Sequence, residues 1–275
     1  MRFYTEEDVR SFDAARFLYI KTSLADHTFT ITLNRPHKRN AFTPSMAAEI
    51  TFALAFAHYH SDVRCIIINA EGPVFCAGAD LNAFHDLAAD TENTSLPAAR
   101  EEIRLGDAFA ELLKPSIAQV EGAVIAGGFL MVCGCTFVVC TNECTFSLPE
   151  VKRGIWPMQV MASLLNIIPP RKILEMAITG KSYNADEAFQ AGLVTSVTEK
   201  ESIAEHVKTL ATEICRNAPL AIQSGMKALT KLRNIPPNEQ HAFLKAQLDH
   251  LLQTEDAREG TRAFKEKRTP VWKGK

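Results

Sequence analysis

Three short stretches combine residue types and spacings that could carry chemistry. The first is Phe75-Cys76-Ala77-Gly78-Ala79-Asp80-Leu81, a run of small residues just after an apolar stretch. Small side chains let a ligand approach the backbone, and a free N–H at Ala79 can donate to an oxygen. The same residues also suit an ordinary strand-to-helix turn. The second is Glu121-Gly122-Ala123-Val124-Ile125-Ala126-Gly127-Gly128-Phe129. Its adjacent glycines open a helix, where backbone donors stand exposed and the helix dipole favours negative charge. Aimed at a developing enolate oxygen, such donors form an oxyanion hole. Close packing of a helix start on a strand selects glycine equally, and the stretch lacks the third glycine and acidic follower of a dinucleotide fingerprint. The third is Ser147-Leu148-Pro149-Glu150-Val151-Lys152-Arg153-Gly154-Ile155-Trp156-Pro157. Glu150 follows a strand and a proline among apolar neighbours, a setting that raises a carboxyl pKa and suits a general acid or base. The competing arrangement is a surface pair with Lys152 or Arg153.

The elements that must position these stretches are readable in outline. Residues 17–20 and the alternating run 29–33 read as strands. Asn34-Arg35-Pro36 breaks the second, and Thr43-Pro44 reads as an N-cap followed by proline at the first helical position, opening a helix to about His60. Cys65-Ile66-Ile67-Ile68-Asn69 is a continuous apolar run, as expected of a strand covered on both faces. After a looser polar stretch, 89–98, come a strand at 116–120, the glycine-bearing turn 122–128, a short apolar helix at 129–135, and strands at 137–139 and 145–147. From 185 onward nearly everything reads as helix: 185–191, 201–216, 220–232, 238–252 and 254–266. The chain has an α/β front and an all-helical back with no low-complexity linker.

Composition bounds the function. The 275 residues carry 30 Lys+Arg against 32 Asp+Glu, with 47% hydrophobic residues, so no basic excess points to nucleic acid or an anionic membrane. No run reaches the roughly 18 apolar residues of a spanning helix. The first seventeen residues hold Glu6, Glu7, Asp8 and Asp13, unlike a transit or secretory leader, and Trp272-Lys273-Gly274-Lys275 matches no retention, peroxisomal or prenylation signal. Seven cysteines is an odd count. Cys133, Cys135, Cys140 and Cys144 lack metal-type spacing and read as buried structural thiols. A cytoplasmic protein is expected. His58 and His60 point to different faces of their helix, and neither they nor His85 pair with a nucleophile at a recognisable spacing.

Taken together, in this order, the three stretches resemble the enoyl-CoA hydratase/isomerase, or crotonase, family. The resemblance runs from about Phe29 to Arg268. It adds Leu33-Asn34-Arg35-Pro36 with Asn40-Ala41, Gly180, Ala191-Gly192-Leu193-Val194, Glu259-Gly260-Thr261-Arg262-Ala263-Phe264 and Lys267-Arg268. It implies an α/β fold, a crotonase-like spiral of ββα repeats over residues 1–195 (residues 1–16 being an N-terminal extension) with a C-terminal helical trimerisation region over 196–275. It further implies a homotrimer or dimer of trimers acting on an acyl-CoA thioester through a stabilised enolate. No cofactor is implied, because coenzyme A is part of the substrate. The N–H groups of Ala79 and Gly127 are then expected to hold the thioester oxygen. Ala77 and Gly78 are placed near the adenine, and Phe264 and Lys267 of a neighbouring subunit on CoA; Lys265, Lys267 and Arg268 also suit a solvated basic run.

One departure matters. Hydratases of the family commonly use two glutamates; Glu150 matches the second, whereas the first falls on Leu130, flanked by Phe129 and Met131. A lone carboxylate suits Δ3-Δ2 enoyl-CoA isomerisation. It also suits hydration if Glu150 both takes and returns the proton, with Gln159 positioning a water, and hydration is the reading preferred here. A non-catalytic acyl-CoA-binding member is the third possibility, which the retained Glu150 disfavours. Phe84, residues 87–104, Phe129, Trp156 and Met158 are expected to shape an apolar acyl pocket, with Leu130 and Trp156 against the substrate.

Overall fold

The computed structural model describes residues 1–85 and 90–275. Strands β1 (Ile20–Ala25) and β2 (Thr28–Leu33) form an antiparallel hairpin. It turns at Asp26 and His27, both at positive φ (48° and 64°), the hand that matches strand twist. The expected strand at 17–20 is displaced: β1 begins at Ile20. The N–H groups of Leu18, Tyr19 and Ile20 are instead taken by the buried Glu49 carboxylate at 2.7, 2.8 and 3.2 Å. Helix α1 (Pro44–Tyr59) starts as predicted, with the Thr43 hydroxyl accepting from Met46 N.

The remaining front of the chain repeats one unit. Strands β3 (Cys65–Ala70) and β4 (Val74–Cys76) precede α2 (Leu81–His85) and α3 (Leu105–Ala110). Strands β5 (Ser116–Val120) and β6 (Ala123–Ile125) precede α4 (Phe129–Gly134), and β7 (Phe137–Thr141) and β8 (Thr145–Ser147) precede α5 (Met158–Leu164). Helix α6 (Pro170–Thr179), strand β9 (Ser182–Asn184), helix α7 (Ala185–Ala191) and strand β10 (Ser196–Thr198) complete it. The first strand of each pair joins a six-stranded sheet, in the order β1-β2-β3-β5-β7-β10. The second joins a four-stranded sheet, β4-β6-β8-β9. Every pairing in the large sheet beyond β1 is parallel. A chain that alternates between two sheets in this way is the predicted spiral of ββα units.

The back of the chain holds α8 (Ile203–Arg216), α9 (Pro219–Leu232), α10 (Gln240–Leu251) and α11 (Glu255–Glu266). It is not wholly helical, because β10 extends the large sheet beside β7. Helix α8 covers that sheet, burying Ile203, Val207, Ala211 and Ile214 against Cys65, Ile117 and Val139. Helix α10 buries no residue, and Leu229, Leu248, Leu252 and Phe264 are exposed. The tail after α11 folds back: the Asp256 carboxylate accepts from Lys273 N and Gly274 N, and Trp272 Nε1–H donates to Arg216 O. No helix among the described residues is long and apolar enough to cross a membrane.

Candidate functional site

The site follows from strand order. Strands β4, β6 and β8 are neighbours and parallel, with Cys76 opposite Val124 and Ile125 opposite Ser147. Adjacent strands lie about 4.8 Å apart, so the residues that follow them leave one end of the sheet side by side. Those residues are Ala77-Gly78-Ala79-Asp80, Ala126-Gly127-Gly128 and Leu148-Pro149-Glu150. The three stretches separated in sequence thus converge at the carboxyl ends of parallel strands, where α/β proteins place ligands.

The Ala79 turn is held from one side. Phe42 N donates to Gly78 O and Asp80 N to Phe42 O, both at 2.9 Å. This parallel bridge to Phe42 turns the intervening Ala79 N–H away. Asp80 pairs with Arg35 at 2.8 Å and Arg35 also donates to Ala41 O. Burial alone would raise the Asp80 carboxyl, but Arg35 and the N–H groups of Ala83 and Asn82 hold it below the usual range. Asn40, fully buried, ties the loop down: its Nδ2 donates to Glu71 O and Val74 O, and its Oδ1 accepts from Arg35 N. This accounts for Asn34-Arg35-Pro36 and Asn40-Ala41 as scaffolding for the turn.

The second turn abuts the first. A Cβ placed on Gly78 would stand 3.0 Å from Gly127 N, and one on Gly127 would stand 3.3 Å from Ala79 N and 3.0 Å from the Phe42 ring. The backbones therefore meet at a separation that side chains would prevent. Among the described residues neither the Ala79 nor the Gly127 N–H has a backbone acceptor outside its own element. Ala126 adopts φ 52°, a conformation that costs a non-glycine residue about 1–2 kcal/mol; the strain aims Gly127 at Ala79. Two N–H groups on facing turns, without a partner among the described residues, can bind one oxygen.

Glu150 opens a short 3-10 turn, Glu150–Arg153. It is 9% exposed, and its Oε2 is buried with no hydrogen-bond partner. Burial pushes its carboxyl above the usual range, against the pull of its own backbone N–H and of Arg153. The surface pair considered above does not form: Lys152 Nζ donates to Gly180 O at 2.9 Å, and no ion pair to Glu150 exists among the described residues. A desolvated carboxylate oxygen with nothing to bind is costly unless something else binds there.

The other expected residues fall at varied places. Leu130 is buried, its Cδ2 3.5 Å from where a Cβ on Gly106 would lie. Trp156 is half-buried and donates to Met161 Sδ; Met158 and Gln159 are exposed on α5. Phe129 is fully buried, and Phe84 packs edge-on against Phe42 while nearly half exposed. Residues 87–89 of the expected pocket segment lie outside the described residues. Phe264 is 86% exposed and Lys267, at φ 54°, ends α11. His85 is exposed; burial draws His58 down to about 4. All seven cysteines are free, and six are buried. Sequence reasoning missed a basic groove of about 540 Å³ beside the Ala79 turn, lined by Arg35, Lys38, Arg39 and Arg153. Lys38-Arg39 was its one local signal; Arg153 joins only through the fold.

Comparison with known proteins agrees. A sequence profile of the enoyl-CoA hydratase/isomerase family matches residues 25–275. A mevalonyl-coenzyme A hydratase of Aspergillus fumigatus is 34% identical, over 90% of this chain and 92% of its own. A carnitinyl-CoA dehydratase of Salmonella typhi is 35% identical, over 89% and 94%. The crystal structure of an enoyl-CoA hydratase from Mycobacterium tuberculosis H37Rv superposes with TM-score 0.82 at 30% identity, covering 94% of this chain and 99% of that one. Human enoyl coenzyme A hydratase domain-containing protein 3 gives 0.82 at 25%, covering 93% and 100%. With this fold and these matches, the chain belongs to the enoyl-CoA hydratase/isomerase family and is an enzyme of that lyase or isomerase class.

Proposed function

We propose that the protein adds water reversibly to a 2-enoyl-CoA, with Glu150 making both proton transfers. The observation that carries this reading is the buried, unpartnered Glu150 Oε2 at the exit of β8. The thioester oxygen accepts the N–H groups of Ala79 and Gly127. Glu150 takes a proton from water as its oxygen bonds to C3, and the electron pair of the double bond moves onto the thioester as an enolate. The same carboxyl then returns that proton to C2, so H and OH are both added and Glu150 is regenerated. Donors fixed before reaction, in a site of low polarity, supply the electrostatic part of catalysis. Gln159 is assigned to orient the water, and Leu130 and Trp156 to face the acyl group. The names of the two relatives, a hydratase and a dehydratase, describe the two directions of one reaction and favour it over isomerisation.

The CoA moiety is assigned to the turn residues Ala77 and Gly78 at the adenine and to the basic groove at the phosphates. Arg35 is committed to Asp80, so Lys38, Arg39 and Arg153, which form no ion pair among the described residues, supply the positive charge there. Phe264 and Lys267 are assigned to CoA on a neighbouring subunit, in a trimer or dimer of trimers built through residues 196–275. An 86% exposed phenylalanine and the unburied α10 support that assembly. Coenzyme A enters as part of the substrate, and no separate cofactor is invoked. Seven free thiols support a cytoplasmic setting.

A second reading, Δ3-Δ2 enoyl-CoA isomerisation, is favoured by one observation: buried Leu130 offers no group to hold a water. In it Glu150 removes a proton from C2 and returns it to C4. Offering a 2-enoyl-CoA and a 3-enoyl-CoA in parallel separates the two. Hydroxyacyl-CoA from the 2-enoyl substrate supports hydration, whereas 2-enoyl product alone, from the 3-enoyl substrate, supports isomerisation. No turnover of either, across several acyl groups, points to a binding-only member.

A further inference from the structure

Residues 1–24 lie ahead of the family profile, yet their first part is built into the body. Phe3 and Tyr4 are buried. Tyr4 packs edge-on against Phe52 of α1, and Phe12 stacks on Phe56 with centroids 3.8 Å apart. The arm is thereby packed against α1. From this base it reaches the segment 93–104 that leads into α3. Arg100 N donates to Phe3 O at 3.1 Å, and the Arg100 guanidinium contacts Asp8 and Thr5 Oγ1 at 3.3 and 3.2 Å. Further back, Asn93 Nδ2 donates to Arg16 O at 2.9 Å, and Arg16 N donates to Ser95 Oγ at 2.9 Å. Beyond the segment, Arg2 N donates to Glu111 at the end of α3, at 2.8 Å. The start of α3 packs beside Leu130 of α4 and Ser163 of α5: a Cβ on Gly106 would lie 3.5 Å from Leu130 Cδ2 and 3.4 Å from Ser163 Oγ.

We propose that residues 1–16 are a brace that fixes the segment 93–104 and the start of α3 against Leu130, and so limits the acyl chain the site accepts. This rests on the acyl-CoA reading above. A packed wall moves as a unit or not at all, so releasing its anchors lengthens the space beyond Leu130 while leaving the CoA groove untouched. Arg100 and Asn93 are positioning residues in this account.

The test uses the full chain and saturated acyl-CoAs, which cannot be hydrated, with affinities measured by calorimetry. In Arg100→Ala, and more so in Arg100→Ala with Asn93→Ala, the preference for a four-carbon over a twelve-carbon acyl-CoA should fall by about tenfold, the equivalent of one or two further buried methylenes. Affinity for free CoA should stay unchanged, and Arg100→Lys should restore the wild-type profile. Arg100 is largely exposed, so the single variant retains its fold. An unchanged chain-length profile, or an equal loss for free CoA, overturns the brace. Absence of any acyl-CoA binding by the wild type overturns the functional reading instead.

Discussion

Replacing Gly78 with alanine adds one methyl group where the two donor turns meet. Gly78 has φ +92°, and the new Cβ would lie 2.9 Å from Ala126 Cβ, 3.0 Å from Gly127 N and 3.1 Å from Ile125 O. The backbone conformation alone costs a non-glycine residue about 1–3 kcal/mol. The crowding is chiefly against main-chain atoms, and it is relieved only by moving Gly127 away from Ala79. Gly192 supplies the control: its φ is +84°, but the nearest atom to an added Cβ is Ile167 O at 3.8 Å. Both variants should therefore lose stability, by about 2–4 °C in Tm for each kcal/mol in a chain of this size. Only Gly78→Ala should separate the donors, and losing one such donor lowers kcat about 100- to 1,000-fold. Calorimetry gives Tm, and loss of the conjugated enoyl-thioester absorbance gives kcat. Equal kcat in the two variants at equal loss of Tm would refute the assignment of Ala79 and Gly127 as the oxyanion site.

Three further outcomes follow from groups already described. Asn40→Ala removes the partner of one buried and two part-buried backbone groups, and a buried group left unpaired costs about 1–3 kcal/mol; urea unfolding should show a loss of about 2 kcal/mol or more, and a loss below about 1 kcal/mol contradicts the scaffold role. For Glu150, burial raises the folded-state pKa. Its contribution to stability is thus present in full below the unfolded value and lost as pH rises through the folded one. The Tm of Glu150→Gln relative to wild type should accordingly rise between acid and neutral pH, and the wild-type rate should fall as pH drops through a value above the ordinary carboxylate range. A relative Tm that falls with pH counts against an unpaired buried carboxylate.

Local chemistry was legible in the sequence where one residue acts on its own neighbours. Thr43-Pro44 announced α1 because capping is a short-range event, and the run 65–69 announced β3 because both its faces are covered. Strands β4, β6 and β9 are three residues each, too short for periodicity to register, and parallel pairing leaves no local mark. The convergence of Ala79, Gly127 and Glu150 was therefore implied by resemblance and explained only by strand order. Nothing in the sequence marks Glu49, which is buried in α1 because the backbone N–H groups of residues 18–20 and the Asn93 side-chain amide converge on its carboxylate. That convergence also displaced the predicted first strand. The basic groove escaped notice because Arg153, which follows β8, joins Lys38 and Arg39 only through the fold.

In the proposed hydration one carboxylate, Glu150, moves the proton in both steps. Incubating a 2-enoyl-CoA with wild type and with Glu150→Gln, and quantifying 3-hydroxyacyl-CoA beside the affinity for free CoA, tests it most directly. Product is expected from the wild type, with a rate lower by about 1,000-fold in the variant, within the range for general acid–base catalysis, and unchanged CoA affinity. Full hydration by Glu150→Gln, or no hydroxyacyl-CoA from the wild type, would contradict it.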